Sequence, residues 1–438
     1  MDLKKKAADG PARLTQEQLD RVIERHVMFR TGKHGGARAV LAGFVLANLN
    51  FAGKDLSGAE LTGANLQGAN LTGTKLDGAT LFCTDLRRAN LSGASLVKAD
   101  LRGAVLRGAD LTNANLFDAD LRDGAIVDKP MGKDWAVRTI DGNPADMESA
   151  LFTKANLDQA KLSGAQAIHT DFTDATMRGT KLVRANLRNA NLTRANLEGA
   201  DLSGADLRDS KLTGAVITDA TMTLAETGGA DMEGVLTSKP VGRTIEELEH
   251  SLEELIALHS IFVETGGHGG RLLDLSGFDL RGTPALVGHQ LTGIRAVGAT
   301  LYGMNLAKAQ LQAARFDKAD LRGANLENAD LRGISLVGAR LDGANLSGAD
   351  LTALLLAPGR TKAASLDGAT LRNVRLHGTR LDGASLKGTD FTYADLKDAS
   401  FKSADMTDAV LTGARLTRSI LEAASLTGAK GLPKKEVA

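Results

Sequence analysis

A five-residue period runs through most of this chain and constrains its fold more than any other feature. From Ala59 the sequence reads AELTG, ANLQG, ANLTG, TKLDG, ATLFC, TDLRR and ANLSG. Each unit places a small residue and a polar residue before Leu, and two variable residues after it. An amphipathic helix would need apolar residues at helical spacing and a strand would need alternation, so a period of five fits neither. Internal repetition of this kind determines the architecture before local propensity does.

A chain that turns a corner every five residues does fit the period. Each side would point one Leu and one small residue inward, and four sides would make a square turn of about 20 residues, stacked on the next at ~4.8 Å. Ala commonly lies two residues before the Leu, as at Ala64, and Gly two residues after it, as at Gly63. Ala fits a narrow interior, and Gly suits a corner because it has no Cβ. The residue types therefore indicate a coil of short strands.

The A(D/N)Lxx units resemble those of the pentapeptide repeat proteins. This resemblance implies an all-β solenoid, namely a right-handed quadrilateral β-helix. The signature is specific for that fold and says little about function.

Breaks in the repeat divide the chain into segments. The central residues of the first run lie within 46–126, those of the next run lie within 152–222, and residues 282–297 depart from the pattern. Solenoids tolerate deep inserts because neighbouring turns can still stack. The predicted segments are a helical cap with a Gly-rich turn at 1–40, a first solenoid at 41–222 with an insert at 128–150, a linker with a second helical cap at 223–274, a second solenoid at 275–430 and a tail at 431–438.

The two cap segments are similar in sequence, which indicates a tandem duplication of cap and solenoid. Thr15 with Gln18, and Thr244 with Glu247, have the spacing of a capping box, and they predict helices that start directly after each Thr. A Gly-rich turn follows each helix, and its His could help to bind an anion or a metal. No strand–GxxxxGK[ST]–helix context surrounds that turn, so a sharp connection from helix to coil is the simpler interpretation. The residues assigned to the structure of the caps are His26, Phe29, Gly35, Gly36, His259, Phe262, Gly269 and Gly270.

Composition excludes several classes of protein. Lys and Arg number 53, as do Asp and Glu, so the formal net charge is zero and gives no general attraction to nucleic acid or to an anionic membrane. The one cysteine, Cys83, excludes an intrachain disulfide. The N-terminal residues lack the apolar stretch of a secretory signal, and no apolar run is long enough to span a bilayer. The expectation is a cytoplasmic protein that does not contact a membrane and needs no cofactor or metal.

Candidate interaction residues lie on the outer surface of the predicted coil. Residues 20 apart should stack, so Arg87 would lie over Arg107, and Arg102 over Arg122. A solvated, ion-paired face is the favoured interpretation of these columns, and a basic patch for nucleic acid is less favoured because stacking aromatic residues are absent from them. Trp135 lies in the insert, where it could recognise a partner or fix the insert against the coil.

The predicted function is a non-enzymatic scaffold that binds a protein partner. The resemblance supplies two alternatives: a DNA mimic that modulates a type II topoisomerase, as quinolone-resistance proteins do, and a secreted bacterial effector. The mimic calls for a strongly acidic surface, which a neutral chain does not favour. The last coil, near Leu421 and Leu426, has no helix to cover it, so a homodimer through the C-terminal coil is also predicted.

Overall fold

The structure is a computed structural model that describes residues 12–123, 126–128, 136–138, 145–416 and 424–432. Two compact units make up the chain, Met1–Ser238 and Lys239–Ala438. Apart from the coil itself, the described elements are helices α1 (Gln16–Arg30) and α2 (Leu252–Glu264), a 3-10 turn (Ile245–Glu247), and strands β1 (Ile126–Asp128), β2 (Ala136–Arg138), β3 (Arg243–Thr244), β4 (Phe278–Asp279), β5 (Leu354–Ala357) and β6 (Arg360–Lys362).

The predicted coil is confirmed in the first unit. Parallel bridges join positions one turn apart, as in the series Asn65, Asp85 and Val105. The Leu66 amide donates to the Asp85 carbonyl at 2.7 Å, and the same contact recurs at each central Leu. Since each bridge spans four periods of the sequence, the coil has four sides per turn.

The core of each unit is the column of residues that point into the coil. Leu101 is completely buried, and Ala99, two residues earlier, is equally inaccessible. The corner residue two positions after each Leu has a positive φ whether it is Gly, as at Gly63, or another residue, such as Arg88 at φ 57°. The frequency of Gly at that position follows from this left-handed conformation.

The insert begins and ends earlier than predicted. Strands β1 and β2 pair antiparallel within it, so Ile126 lies in a hairpin and is not the last central residue of the first run. The coil resumes at Ala145, where Asp146 bridges Val105 and buried Met147 occupies the next central position. The predicted boundary at residue 150 is therefore one repeat too late, because Met fills the interior as Leu does.

The first coil also extends beyond its predicted end at Met222. Lys211 bridges Asp231, and Val216 bridges Leu236, so the chain continues for most of a further turn. The small position is still Ala at Ala225, while Thr227 replaces the central Leu. The end of the first coil was predicted too early because the prediction required an apolar residue at every central position, and Thr227 is polar.

The second coil starts with a single-residue irregularity. Asp279 bridges Thr300, one position beyond the regular spacing, and buried Leu286 and Leu291 then take central positions. Ala296 follows them as a buried central residue, which makes 282–297 part of the coil rather than a departure from it. One extra residue near Pro284 shifts the register and hides the pattern in the sequence.

The two helices begin as their capping boxes dictate. Thr15 and Gln18 close a capping box at the start of α1, as predicted. Thr244 and Glu247 also form one, but it starts only the 3-10 turn. A second box, between Ser251 and Glu254, starts α2 at Leu252. The predicted helix start at Ile245 is thus wrong. Two capping boxes occur in succession, and α2 starts at the second one.

Candidate interaction surfaces

The structure places the four predicted arginines in two columns on neighbouring sides of the first coil. Arg87 and Arg107 occupy one column, in adjacent turns, and Arg102 and Arg122 occupy the other. All four side chains are about half exposed. Each lies one position after a central Leu, which points the side chain away from the core. The expectation that these columns lack aromatic residues is wrong, because Phe82 shares the Arg102 column and the guanidinium of Arg102 lies 5.4 Å from the centre of its ring.

Three of these arginines bind a carboxylate of their own repeat. In the D-L-R sequence Asp100-Leu101-Arg102, the Arg102 Nε and Nη2 atoms each donate to Asp100 at 2.8 Å. The same two-point contact joins Arg122 to Asp120, at 2.9 and 2.7 Å. The carboxylate of Asp120 also accepts the Arg122 amide at 3.2 Å, so it braces the backbone as well as the guanidinium.

Arg107 makes a different contact because Val105 replaces the acidic residue in its repeat. Its Nε atom donates to Asp146 at 2.5 Å, and its Nη2 atom lies 3.3 Å from Glu148. Both acidic residues belong to the first repeat after the insert. Arg107 therefore links a turn before the insert to the first repeat after it.

The ion pairs shift the titration of the acidic residues in the columns. Burial alone would raise the pKa of Asp120, but hydrogen bonds from Arg122 outweigh it and hold that pKa below its ordinary value. The pairing raises the pKa of Arg122 in turn. These arginines therefore remain charged but carry a nearby opposite charge, so the columns present mixed rather than basic surfaces.

No outward column in the described residues carries more than two acidic residues in succession. Asp100 and Asp120 form such a pair, and Lys161 follows them in the same column. The opposite side of the coil, two repeats away, bears a run of hydroxyl side chains instead, from Thr72 through Ser92 to Thr112. The surface is consequently mixed in charge, as the columns predicted, and has no continuous negative side.

The second unit contains more deeply placed pairs that the sequence analysis did not single out. The Arg322 side chain is only 7% exposed, and its Nη2 atom lies 2.6 Å from Asp320. Arg281 and Asp279 form a similar pair at 2.5 Å. The D-L-R spacing is the signal that could have identified them. Trp135, in contrast, lies outside the described residues.

Each helix fixes a histidine against the start of the following coil. The buried His26 ring accepts the Ala39 amide at Nδ1, at 3.1 Å, and its Nε2 atom lies 3.1 Å from the Ser57 carbonyl. His259 accepts the Leu273 amide in the same way at 3.2 Å. Burial lowers the pKa of both rings, which keeps Nδ1 free to accept.

The aromatic and glycine residues of the predicted caps also lie at close contacts. The rings of Phe29 and Phe262 stack on the histidine of their own helix with centroids 6.3 Å apart. A Cβ at Gly36 would lie 2.3 Å from a backbone nitrogen, and one at Gly270 would lie 2.1 Å from a carbonyl oxygen. The predicted Gly35 and Gly269 positions are less crowded, and Gly35 has a φ of 83°.

A family model described as pentapeptide repeats (8 copies) matches most of the chain. The matched residues are 39–81, 84–123, 150–189, 170–209, 190–226, 290–323, 319–353, 364–402 and 394–430. These ranges together cover more than half of the sequence and coincide with the coils of both units. The chain belongs to the pentapeptide repeat family.

Solved structures of other pentapeptide repeat proteins are similar to this chain. HetL, involved in heterocyst differentiation regulation in the cyanobacterium Nostoc sp. strain PCC 7120, is 20% identical over 94% of this chain and 95% of its own, with a TM-score of 0.21. Rfr23 from the cyanobacterium Cyanothece 51142 is 28% identical over 32% and 90%, also at 0.21. QnrB1, a plasmid-mediated fluoroquinolone resistance protein, is 18% identical over 52% and 90%, at 0.19. Such scores carry no function across to this chain, and no curated protein matches it.

A cavity of about 160 Å³ lies beside α2. Its two arginines are engaged, because Arg271 lies 2.9 Å from Glu249 and Arg243 lies 3.5 Å from Glu247. Among the described residues, no group of His, Cys, Asp and Glu is arranged to hold a metal ion. The described helices are likewise too short or too polar to cross a bilayer.

Proposed function

We propose that this pentapeptide repeat protein is a non-enzymatic scaffold that binds a protein partner along the outer sides of its coils. The observation that carries the proposal is the arrangement of outward side chains in columns. Residues such as Arg102 and Arg122 recur at the coil spacing and are held in place by two-point contacts to their acidic neighbours. Preorganised side chains on a rigid side lose little entropy when a partner binds.

We also propose that α1 and α2 cover the first turns of two tandem solenoids. Leu19 and Ile23 of α1 are buried in the core of the first unit, and the Gln16 side chain pairs with the backbone of Asn50 at 2.8 and 2.9 Å. In the second unit, Leu255 and Ile256 of α2 are likewise buried in the core, and β3, which precedes α2, pairs in parallel with β4. The Gln16 and β3 contacts occupy strand edges that would otherwise attract another chain.

The DNA-mimic alternative receives less support. A mimic of the DNA backbone needs regularly repeated negative charge, whereas the acidic columns in the described residues are broken by other side chains after two acidic residues at most. Their arginines also neutralise the adjacent carboxylates. A surface of this kind suits a partner that binds a specific pattern of positive, negative and hydroxyl side chains.

Photo-crosslinking in the source organism would test the scaffold. A photoreactive amino acid is placed at Ser92 or Thr112, which share one column, and at Phe82 or Arg102, which share another. The proposal predicts that both positions of at least one column capture the same protein, with matched positions on other sides serving as controls. Capture of no protein from any side, or turnover of a small molecule by the purified chain, would contradict it.

A further inference from the structure

The β5–β6 hairpin is an addition to the second coil that its core does not require. Ser335 bridges Ser365, although the regular spacing of the coil would bring it to Leu355. Leu351 before the hairpin and Leu366 after it remain fully buried in their central positions. The coil therefore stacks past the hairpin undisturbed, and the extra residues contribute a surface rather than a core.

The hairpin is held against the coil through one of its faces. Leu354 and Lys362 are paired across the two strands, and both are partly buried. The Lys362 Nζ atom donates to the Ala313 carbonyl at 3.2 Å. Gly333 lies so close beneath that an added Cβ would meet Leu354 Cβ at 2.8 Å and the Lys362 carbonyl at 3.0 Å. These contacts make the hairpin a fixed platform.

The outer part of the hairpin is apolar and basic. Leu355 is 66% exposed and Leu356 is 48% exposed, although outward positions on the coil are mostly polar. The hairpin carries Arg360 and Lys362 but no acidic residue, and Arg360 forms no ion pair within the described part of the chain. A partner that covers the two leucines would gain the free energy of removing their apolar surface from water, and a carboxylate placed beside them would pair with Arg360.

The surrounding charges strengthen this positive character. Burial lowers the pKa of Lys362, and the positive charge of nearby Arg315 lowers it further. The nearby carboxylate of Asp317 is already engaged by Arg315 at 3.3 Å and by the Val337 amide at 3.2 Å. Asp317 therefore acts on the pKa of Lys362 against the effect of Arg315, but it forms no ion pair with a hairpin residue within the described part of the chain.

We propose that the β5–β6 hairpin docks an extended peptide segment of a partner protein in which apolar and carboxylate side chains alternate. Within the described residues, this sheet contains only β5 and β6, so each strand has one edge without a strand partner. Added strands bind through backbone hydrogen bonds, and alternate side chains supply specificity. Apolar side chains of the segment would cover Leu355 and Leu356, while its carboxylates would pair with Arg360.

Selection from a phage-displayed library of random peptides on the full chain tests this inference, which rests on the proposed scaffold function. Enriched peptides should alternate apolar and acidic residues, and their binding should weaken as salt rises. A Leu355→Ser/Leu356→Ser variant, and independently Arg360→Ser, should each reduce affinity by at least about tenfold. The controls are Leu151→Ser, another exposed leucine, and Arg415→Ser, whose side chain is 83% exposed.

Several results would overturn the inference. These are a library without enriched peptides, enriched peptides that lack carboxylates, and peptides that bind the hairpin variants as well as the wild type. A dimer that the double Ser variant converts to a monomer in sedimentation would show that the occupant is a second copy of the chain. If no selected peptide depends on the hairpin while the outward columns still capture a partner, the hairpin assignment fails and the scaffold function stands.

Discussion

Removing one inward side chain should destabilise the first coil far more than removing its outward neighbour. Leu101 is 0% exposed, and Leu81 and Leu121 lie in the same position of the adjacent turns, also fully buried. Leu101→Ala removes three buried carbon groups, worth about 2.4 kcal/mol in transfer free energy at ~0.8 kcal/mol each. Incomplete collapse around the resulting cavity should bring the total loss to about 2–5 kcal/mol.

The matched control is Arg102→Ala, one residue along. Arg102 is about half exposed and its ion pair with Asp100 is solvated, so the expected loss is below ~0.5 kcal/mol. Leu101→Arg, which places a charge in the dry interior, should be worse than Leu101→Ala. Thermal melts give the ranking of the three variants.

Hydrogen exchange then locates the loss of stability. Each turn of a solenoid contacts only its neighbours, so amides that bond along the Leu101 column should exchange faster than those of distant turns. Two amides report this effect. The Leu81 amide donates to the backbone carbonyl of Asp100, and the Leu101 amide donates to the backbone carbonyl of Asp120. Equal losses from Leu101→Ala and Arg102→Ala, or uniform exchange along the coil, would refute the assigned inward and outward positions.

Three further outcomes are expected. Burial lowers the pKa of His26 and His259 in the folded protein below 6.5, so as the pH falls the unfolded chain takes up protons at these rings before the folded protein does. The free energy of unfolding should therefore be constant above about pH 6.5 and decline below it. Melting temperatures at about pH 7.5 and 5.5 should differ less in a His26→Gln/His259→Gln variant, and an unchanged difference would contradict the role of these rings. Arg107→Gln should lower the melting temperature by no more than about 3 °C, because the Arg107 side chain is about half exposed and its ion pairs are partly screened by water. A larger drop would show that Arg107 contributes more to the stacking of the turns across the insert. If the C-terminal coil forms a homodimer, Leu426→Glu should give monomers in light scattering, whereas a wild-type mass near 45.8 kDa would exclude that dimer.

The regular part of the fold could be predicted from sequence because one residue type dominates the central position. Leu at every fifth residue, with Ala two before it, was enough to assign Leu101 inward and Arg102 outward. The errors occurred where that position holds another residue, as with Met147, Thr227 and Ala296. Stacking of the backbone between turns continues at those places, because bridges between adjacent turns do not depend on the identity of one side chain.

The candidate surfaces were only partly predictable. The columns of Arg102 and Arg122 follow from the four-repeat turn, but their two-point contacts depend on the D-L-R spacing that places Asp and Arg on the same side. Arg107 could not be assigned to Asp146, since that pair depends on where the coil resumes after the insert. The hairpin at 354–362 was not predicted, because alternation over so few residues does not reveal two paired strands.

Hydroxyl-radical footprinting of the chain with its photo-crosslinked partner tests the scaffold most directly. Oxidation of outward side chains is measured along the coils, with and without the partner. If the partner binds along a side, protection should recur once per turn in one column, as at Phe82, Arg102 and Arg122, and be absent from the opposite side. Protection confined to a single site, without that recurrence, would contradict binding along the coil.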